Sequence, residues 1–420
     1  MNTKLVEDAI HKAIRNGAVQ ARPRPNSSDP EIDLVYSQTD VEIEGPILDE
    51  FVADLKCDRQ LARLDSAFAM TPGGGGRTSL KFMAKPLLAH AISSGDVGST
   101  AKLFCSLVET NSTPAIAVMA VTGVKADATI KLGEDIQLMP MTSVPDSIPR
   151  AEALRLTNRS HIRSPASTGL VTNFKYQPAF YWPDPDEDFR WPDKGFQIAW
   201  AAAKQCVNGA LDDLREARML LSLLELNPTY LMAWVQSKNL SISHSIVRHM
   251  LVHDGSDLLS REIPSYDFVI EENDVKQITD AFFGISALNR RKILRVPLDR
   301  LDRSIHENDF TDKVIDLGIA LEALLLHEQK GDRGELKFRL GLRGAWLLGS
   351  DAEERVEIQR ALGKVYQLRS DAVHVGKVER NDSNERVIEQ GTVLCRRLIR
   401  KMIEAHGRID WNTLVLGGAT

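Results

Sequence analysis

Leu5, Val6, Ala9, Ile10, Ala13 and Ile14 return at helical spacing, and Gly17 ends the pattern ahead of the proline-bearing stretch ARPRPNSSDPE. Apolar positions at i, i+3 and i+4 line one face of a helix, and proline interrupts it, so 1–31 reads as an N-terminal helix and a linker. From Ile32 the texture changes to short β-rich runs, IDLVYS, VEIEG, TPAIAVMAVTG, ATIKLG and DIQLMPM, punctuated by Gly123, Gly133 and Pro140. Between them EFVADLKCDRQLARL and STAKLFCSLVET carry helical spacing, so 32–190 is expected to be one mixed α/β domain. The aromatic and acidic segment FYWPDPDEDFRWPDKG closes it as a long loop. Residues 191–284 read as a helical connector, 285–410 as an all-α bundle and 411–420 as a tail. The fold class expected is α+β.

Four helices of the bundle have start signals and a buried stripe. The first follows NDFTDK, with Asp309 or Thr311 as cap, and places Val314, Leu317, Leu321, Leu324 and Leu325 on one face. The second, GELKFRLGLRGAWLLG, sets Leu336, Leu340, Ala345 and Leu347 inward and Arg339 and Arg343 four apart. The third opens on SDAE, where Ser350 and Glu353 fit a capping box, and buries Val356, Leu362, Val365 and Tyr366. The fourth starts at DSNE and carries Val387, Ile388, Leu394, Leu398, Met402 and Ile403. An earlier helix in ALNRRKILRVPLDRLDRSIHE is broken or entered at Pro297. The spacing predicts helix over 311–327, 335–348, 351–374 and 383–405.

Charge and cysteine usage narrow the role. A net charge of −6 leaves any nucleic-acid site to a local basic patch. The four cysteines, Cys57, Cys105, Cys206 and Cys395, form neither a Cys-x-x-Cys pair nor a disulfide-dense pattern, which fits a reducing cytoplasmic compartment. The acidic N-terminal segment does not suit a signal peptide, and no window is long and apolar enough for a membrane span, so neither secretion nor membrane insertion is expected.

The chemistry turns on arginines followed closely by histidines. Arg155 with His161, Arg248 with His253, Arg300 with His306, Arg369 with His374 and Arg400 with His406 all satisfy the spacing, so context must choose. Arg369 continues the stripe of Leu362, Val365 and Tyr366, which turns a guanidinium inward, where it needs a partner or a ligand. Five residues along a regular helix turn a side chain by about 140°, so Arg369 and His374 cannot share a face unless the helix ends. Gly376 offers a left-handed cap that could end it.

In order, spacing and residue type, DKVIDLGIALEALLL, GELKFRLGLRGAWLLG and ALGKVYQLRSDAVH resemble the ApeA-like branch of the HEPN superfamily, over about 285–406. The resemblance rests on the Ile-Ala-Leu-Glu run ending at Glu322, on Glu335, Arg339 and Arg343, and on Tyr366 ahead of Arg369, Ser370 and His374. It departs where Val375 intervenes between His374 and Gly376. It implies a helical bundle that dimerises and a metal-independent endoribonuclease with Arg369 and His374 lining a cleft between protomers. The mixed N-terminal domain would then sense a trigger molecule or phage protein, or restrain activity, in an anti-phage or toxin effector. No cofactor is implied.

Such a nuclease uses the 2′-hydroxyl of its RNA substrate as nucleophile. His374 would move the proton, Arg369 would hold two phosphate oxygens, and Ser370 and Asp371 would orient the imidazole or the ribose. Arg339, Arg343 and Lys377 are candidates for RNA phosphates. Each has a structural alternative: an ion pair with Glu322, the lone charge in its apolar run, for Arg369; a polar helix end for His374; and a solvated helix face for Arg339 and Arg343. With both residues structural, the chain would be an inactive binding or dimerisation module. TPGGGGRTS lacks the lysine of a phosphate-binding loop and reads as a surface turn. His244, His249 and His253 lack the intervening glutamate of a zincin, and the acidic run Asp184, Asp186, Glu187 and Asp188 reads as a solvated loop, so no metal is assigned.

Overall fold

The computed structural model describes residues 1–20, 41–71, 73–156, 167–184, 193–223, 229–238, 250–252, 268–270, 274–276, 279–280, 291–326, 335–406 and 409–417. It is mixed α+β, with strands toward the N-terminus and helices alone from 291 onward. Helix α1 (Thr3–Arg15) does not stand apart on its linker. Its face of Val6, Ala9, Ile10 and Ala13 is buried against α2 (Gly45–Lys56) and α4 (Val97–Thr110), with α3 (Leu80–Ser94) completing the layer. Of the β-rich runs, VEIEG contributes only Val41–Glu42 before α2 begins, and IDLVYS lies outside the described residues.

The glycine run expected as a turn is part of a hairpin. Strand β1 (Phe68–Thr71) pairs antiparallel with β2 (Gly74–Arg77), in the register Met70 to Gly75. A Cβ on Gly75 would meet the Phe196 ring at 2.6 Å, so that glycine is required by a close approach.

The larger sheet is built on β3 (Thr113–Thr122), whose TPAIAVMAVT is apolar on both faces, as a central strand covered on both sides must be. Ala115, Ala117, Met119 and Val121 face the main core, and Ile116, Val118 and Ala120 face a smaller one. From the far edge, β4 (Ile130–Lys131), β5 (Ile136–Pro140) and β6 (Thr168–Tyr176) lead in to β3. Strands β8 (Thr229–Ser237) and β9 (Met250–Val252) follow on its other side, all antiparallel. Strand β7 (Phe180–Tyr181) pairs with β1 in the hairpin sheet. Helix α5 (Lys194–Leu221), 28 residues long, lies over the main-core face.

The expected helical connector is therefore corrected. It begins with α5, but Thr229–Ser237 and Met250–Val252 are strands of the same sheet. Every residue of TYLMAWVQS is buried, so the run shows no period from which to choose strand over helix.

The bundle follows the sequence closely. Its helices are α6 (Arg291–His306), α7 (Phe310–Leu325), α8 (Leu336–Leu348), α9 (Ala352–Val375) and α10 (Asp382–Glu404). Pro297 sits inside α6 without ending it. Asp309 caps α7, accepting from the amides of Thr311 and Asp312. The cap of α9 is Asp351, bonded to the Glu354 amide, one residue beyond the expected Ser350–Glu353 pair. Glu354 reaches back past the cap to accept from the Ser350 amide, one residue before Asp351, so the return bond of a capping box is made to the preceding residue instead of to the cap itself. Val356, expected in the core, is exposed. The last stretch is no loose tail: α11 (Trp411–Val415) buries Trp411 and Leu414 against α8.

Sheet and bundle share one core, and a buried polar node joins them. Arg218, at the end of α5, pairs with Asp302 of α6, and Ser222 Oγ donates to Asp302 Oδ1 at 3.1 Å. From α10, Arg396 donates to the Ser222 carbonyl and Arg400 to that of Leu223.

Candidate functional site

Helix α9 stays regular through Val375, and only then does Gly376, at φ +79°, return its amide to the Ala372 carbonyl. Because the cap comes after His374, it does not swing the imidazole toward Arg369. The core face of α9 is set by Ile358, Ala361, Leu362, Val365 and Ala372. On a helical wheel Arg369 falls at the edge of that face, whereas His374, about 140° further round, points away from it. His374 is accordingly exposed, with exposed Val373 and Val375 beside it.

Arg369 crosses α7, where Gly318 and Glu322 lie one turn apart on one face. Its aliphatic stem lies over Gly318, where a Cβ would overlap its own Cβ and Cγ, and its Nη2 donates to Glu322 Oε2 at 3.2 Å. Both side chains are about one-quarter exposed. Burial pushes the Glu322 carboxyl above its ordinary value, and the attraction of Arg369 offsets this only in part. The Nε of Arg369 is buried without a hydrogen-bond partner. Lone charges in apolar runs made Glu322 and Arg369 legible as a pair. Gly318 was not, because a helical glycine acquires meaning only when the residue crossing it is known.

The remaining candidates separate. Asp371 accepts from Gln367 Nε2 at 3.0 Å, and Lys337 Nζ donates to Gln367 Oε1 at 3.1 Å, along the outward face that also carries His374. Ser370 and Tyr366 are half-buried, Tyr366 packed against the core. Lys377 is exposed just beyond the cap. Arg343 belongs to the scaffold: it donates to the Leu325 carbonyl at the end of α7, and its guanidinium stacks on Trp411, 4.9 Å from the ring centroid. Arg339 is half-buried and forms no ion pair among the described residues. Glu335 precedes α8 at φ +59° and makes no side-chain cap.

Of the other pairs, Arg300 with His306 is structural: Arg300 binds Asp316 at 2.6 Å, while His306 is buried with Nδ1 on the Asp302 carbonyl. Arg400 is held at the Leu223 carbonyl, and His406 is exposed. His161, Arg248, His253 and the rest of the histidine cluster at 244–253 lie outside the described residues. No protein-family model, curated protein or solved structure matches the chain.

Proposed function

We propose that the chain is a metal-independent endoribonuclease of HEPN type, acting as a cytoplasmic homodimer in anti-phage defence or as a toxin, under control of its N-terminal region. Its substrate is RNA, cut by attack of the 2′-hydroxyl to leave a 2′,3′-cyclic phosphate and a 5′-hydroxyl. His374 moves the proton, and Arg369 neutralises charge on the phosphorane.

One observation carries this reading. His374 is fixed at the end of α9, exposed, with no partner of its own among the described residues, between exposed Val373 and Val375. Arg369, on the same helix, turns the other way and stays partly accessible. Two side chains so divergent meet at one phosphate only if they come from two chains, and the exposed valines offer a second copy apolar surface to bury. A second reading, an inactive binding or dimerisation module, is favoured by the Arg369–Glu322 pair, which gives the guanidinium a purely structural role.

Cleavage of labelled RNA by the full chain in excess chelator tests the proposal. Products with cyclic-phosphate ends are expected, and His374→Ala should slow the reaction by roughly 10²–10⁴ while remaining folded. A variant that cuts at the unmodified rate would contradict it.

A further inference from the structure

The contact between Arg369 and Glu322 is poorly made for stability. An arginine paired with a carboxylate frequently offers it two parallel N–H groups, at about 2.7–2.9 Å. Here a single nitrogen, Nη2, donates to Glu322 Oε2 at 3.2 Å, and Nε is buried without a partner. The carboxyl is itself desolvated, which pushes its pKa up. An unmatched buried donor and a desolvated carboxylate both work against the folded state.

What the arrangement does well is fix a direction. The stem of Arg369 lies across Gly318, where a Cβ would run into its Cβ and Cγ and stand 3.4 Å from its Cδ. One turn along α7, Glu322 holds the far end through Nη2. A long side chain restrained at its stem and at one terminal nitrogen loses most of its rotamer freedom in advance, so little is left to lose when a ligand arrives. With Nη2 engaged and Nε enclosed, Nη1 makes no hydrogen bond among the described residues and is the nitrogen left accessible. That nitrogen can meet a phosphate oxygen.

We infer that Glu322 is a positioning residue, which turns the Arg369 guanidinium so that Nη1 faces the phosphate while Gly318 provides the floor for the stem. The inference rests on the nuclease chemistry proposed above, and adds to it a side chain that meets neither substrate nor proton.

Kinetics of the full chain on labelled RNA, at a temperature where circular dichroism shows each variant folded, test it. Glu322→Gln keeps an oxygen that can accept from Nη2 and should stay within about threefold of the unmodified kcat. Glu322→Asp keeps the charge but withdraws the oxygen by one methylene, and Glu322→Met removes the acceptor. Each of these two should lower kcat by about 10- to 100-fold with KM unchanged, the mark of an interaction made in the transition state, and either alone decides if the other does not fold. A structural ion pair predicts another order, with Gln as slow as Met because both lose the charge. The Nε–H resonance of Arg369 in ¹⁵N-arginine-labelled protein, identified by its absence from Arg369→Lys, reports the same restraint without any reaction. It should stay in place in the Gln variant and move or vanish in the Asp and Met variants. Failure of the unmodified chain to cut RNA would count against the nuclease reading, and the resonance would then decide the restraint by itself. Unchanged kcat in folded Asp or Met variants, Gln as slow as Met, or one resonance position throughout would overturn the assignment.

Discussion

Arg369 shows how much one side chain depends on what its neighbour lacks. Its stem occupies the volume that a Cβ at position 318 would take, so Gly318→Ala should displace it and cost about 1–3 kcal/mol, the usual penalty of overpacking. Gly363 of α9 is the control, because a Cβ there would meet only Lys337 Cε at an ordinary 3.6 Å. Gly363→Ala should instead gain up to about 1 kcal/mol of helix propensity. Urea denaturation of the two variants separates these outcomes, and equal effects would contradict the packing account. Glu322 adds a pH dependence. Its folded-state pKa is raised from 4.5 by burial, so the folded chain holds that proton more tightly than the unfolded one. Its stabilising contribution is complete below pH 4.5 and is lost as pH rises through the raised value. The stability of the unmodified protein minus that of Glu322→Gln should therefore fall with rising pH across this window, and a difference that rises would refute the direction. The pairing of Glu322 with Arg369 was legible in the sequence, since a charge inside an apolar stripe must find a partner. The divergence of His374 was legible only as a conditional. Five residues of regular helix separate the two, and whether the helix ended early had to be seen.

At the scale of elements, the bundle could be read because its helices carry both a 3.6-residue stripe and start signals. The caps at Asp309, Asp351 and Asn381 all bind amides of the first turn. For α9, two adjacent oxygen-bearing residues precede two adjacent glutamates, so the pattern fits Ser350–Glu353 as well as Asp351–Glu354, and spacing alone could not choose. Asp351→Ala should cost about 1 kcal/mol, with Ser350→Ala costing less, measured by thermal melting. The sheet was read less well. Strand β3 announced itself by length and β-branched content, but Thr229–Ser237 is buried throughout and carries no alternation to betray it. The glycines of β2 carry no strand propensity either, and only the pairing with β1 and the close approach of Phe196 explain them.

At the scale of the whole molecule, the sheet layer and the bundle are joined through groups buried out of water. Asp302 receives Arg218 and Ser222 from the end of α5, inside a core continuous across both regions. Removing the carboxylate leaves a buried guanidinium uncompensated, so Asp302→Ala should cost about 3–5 kcal/mol. The exposed Lys401–Glu404 pair should contribute at most about 1 kcal/mol, and chemical denaturation distinguishes the two. None of the described helices is long and apolar enough to cross a membrane. The central proposal also belongs to this scale, because one chain holds Arg369 and His374 on different sides of α9 and a working site must draw them from two chains. Mixing Arg369→Ala with His374→Ala tests this most directly, after each has been confirmed folded and inactive on RNA. Subunit exchange gives heterodimers in which one arginine and one histidine remain, on opposite chains. The expected result is recovery of chelator-resistant cleavage in the mixture, up to about one-quarter of the unmodified rate, since about half the dimers are mixed and each has one intact site of two. A mixture as inactive as its components would contradict the shared site.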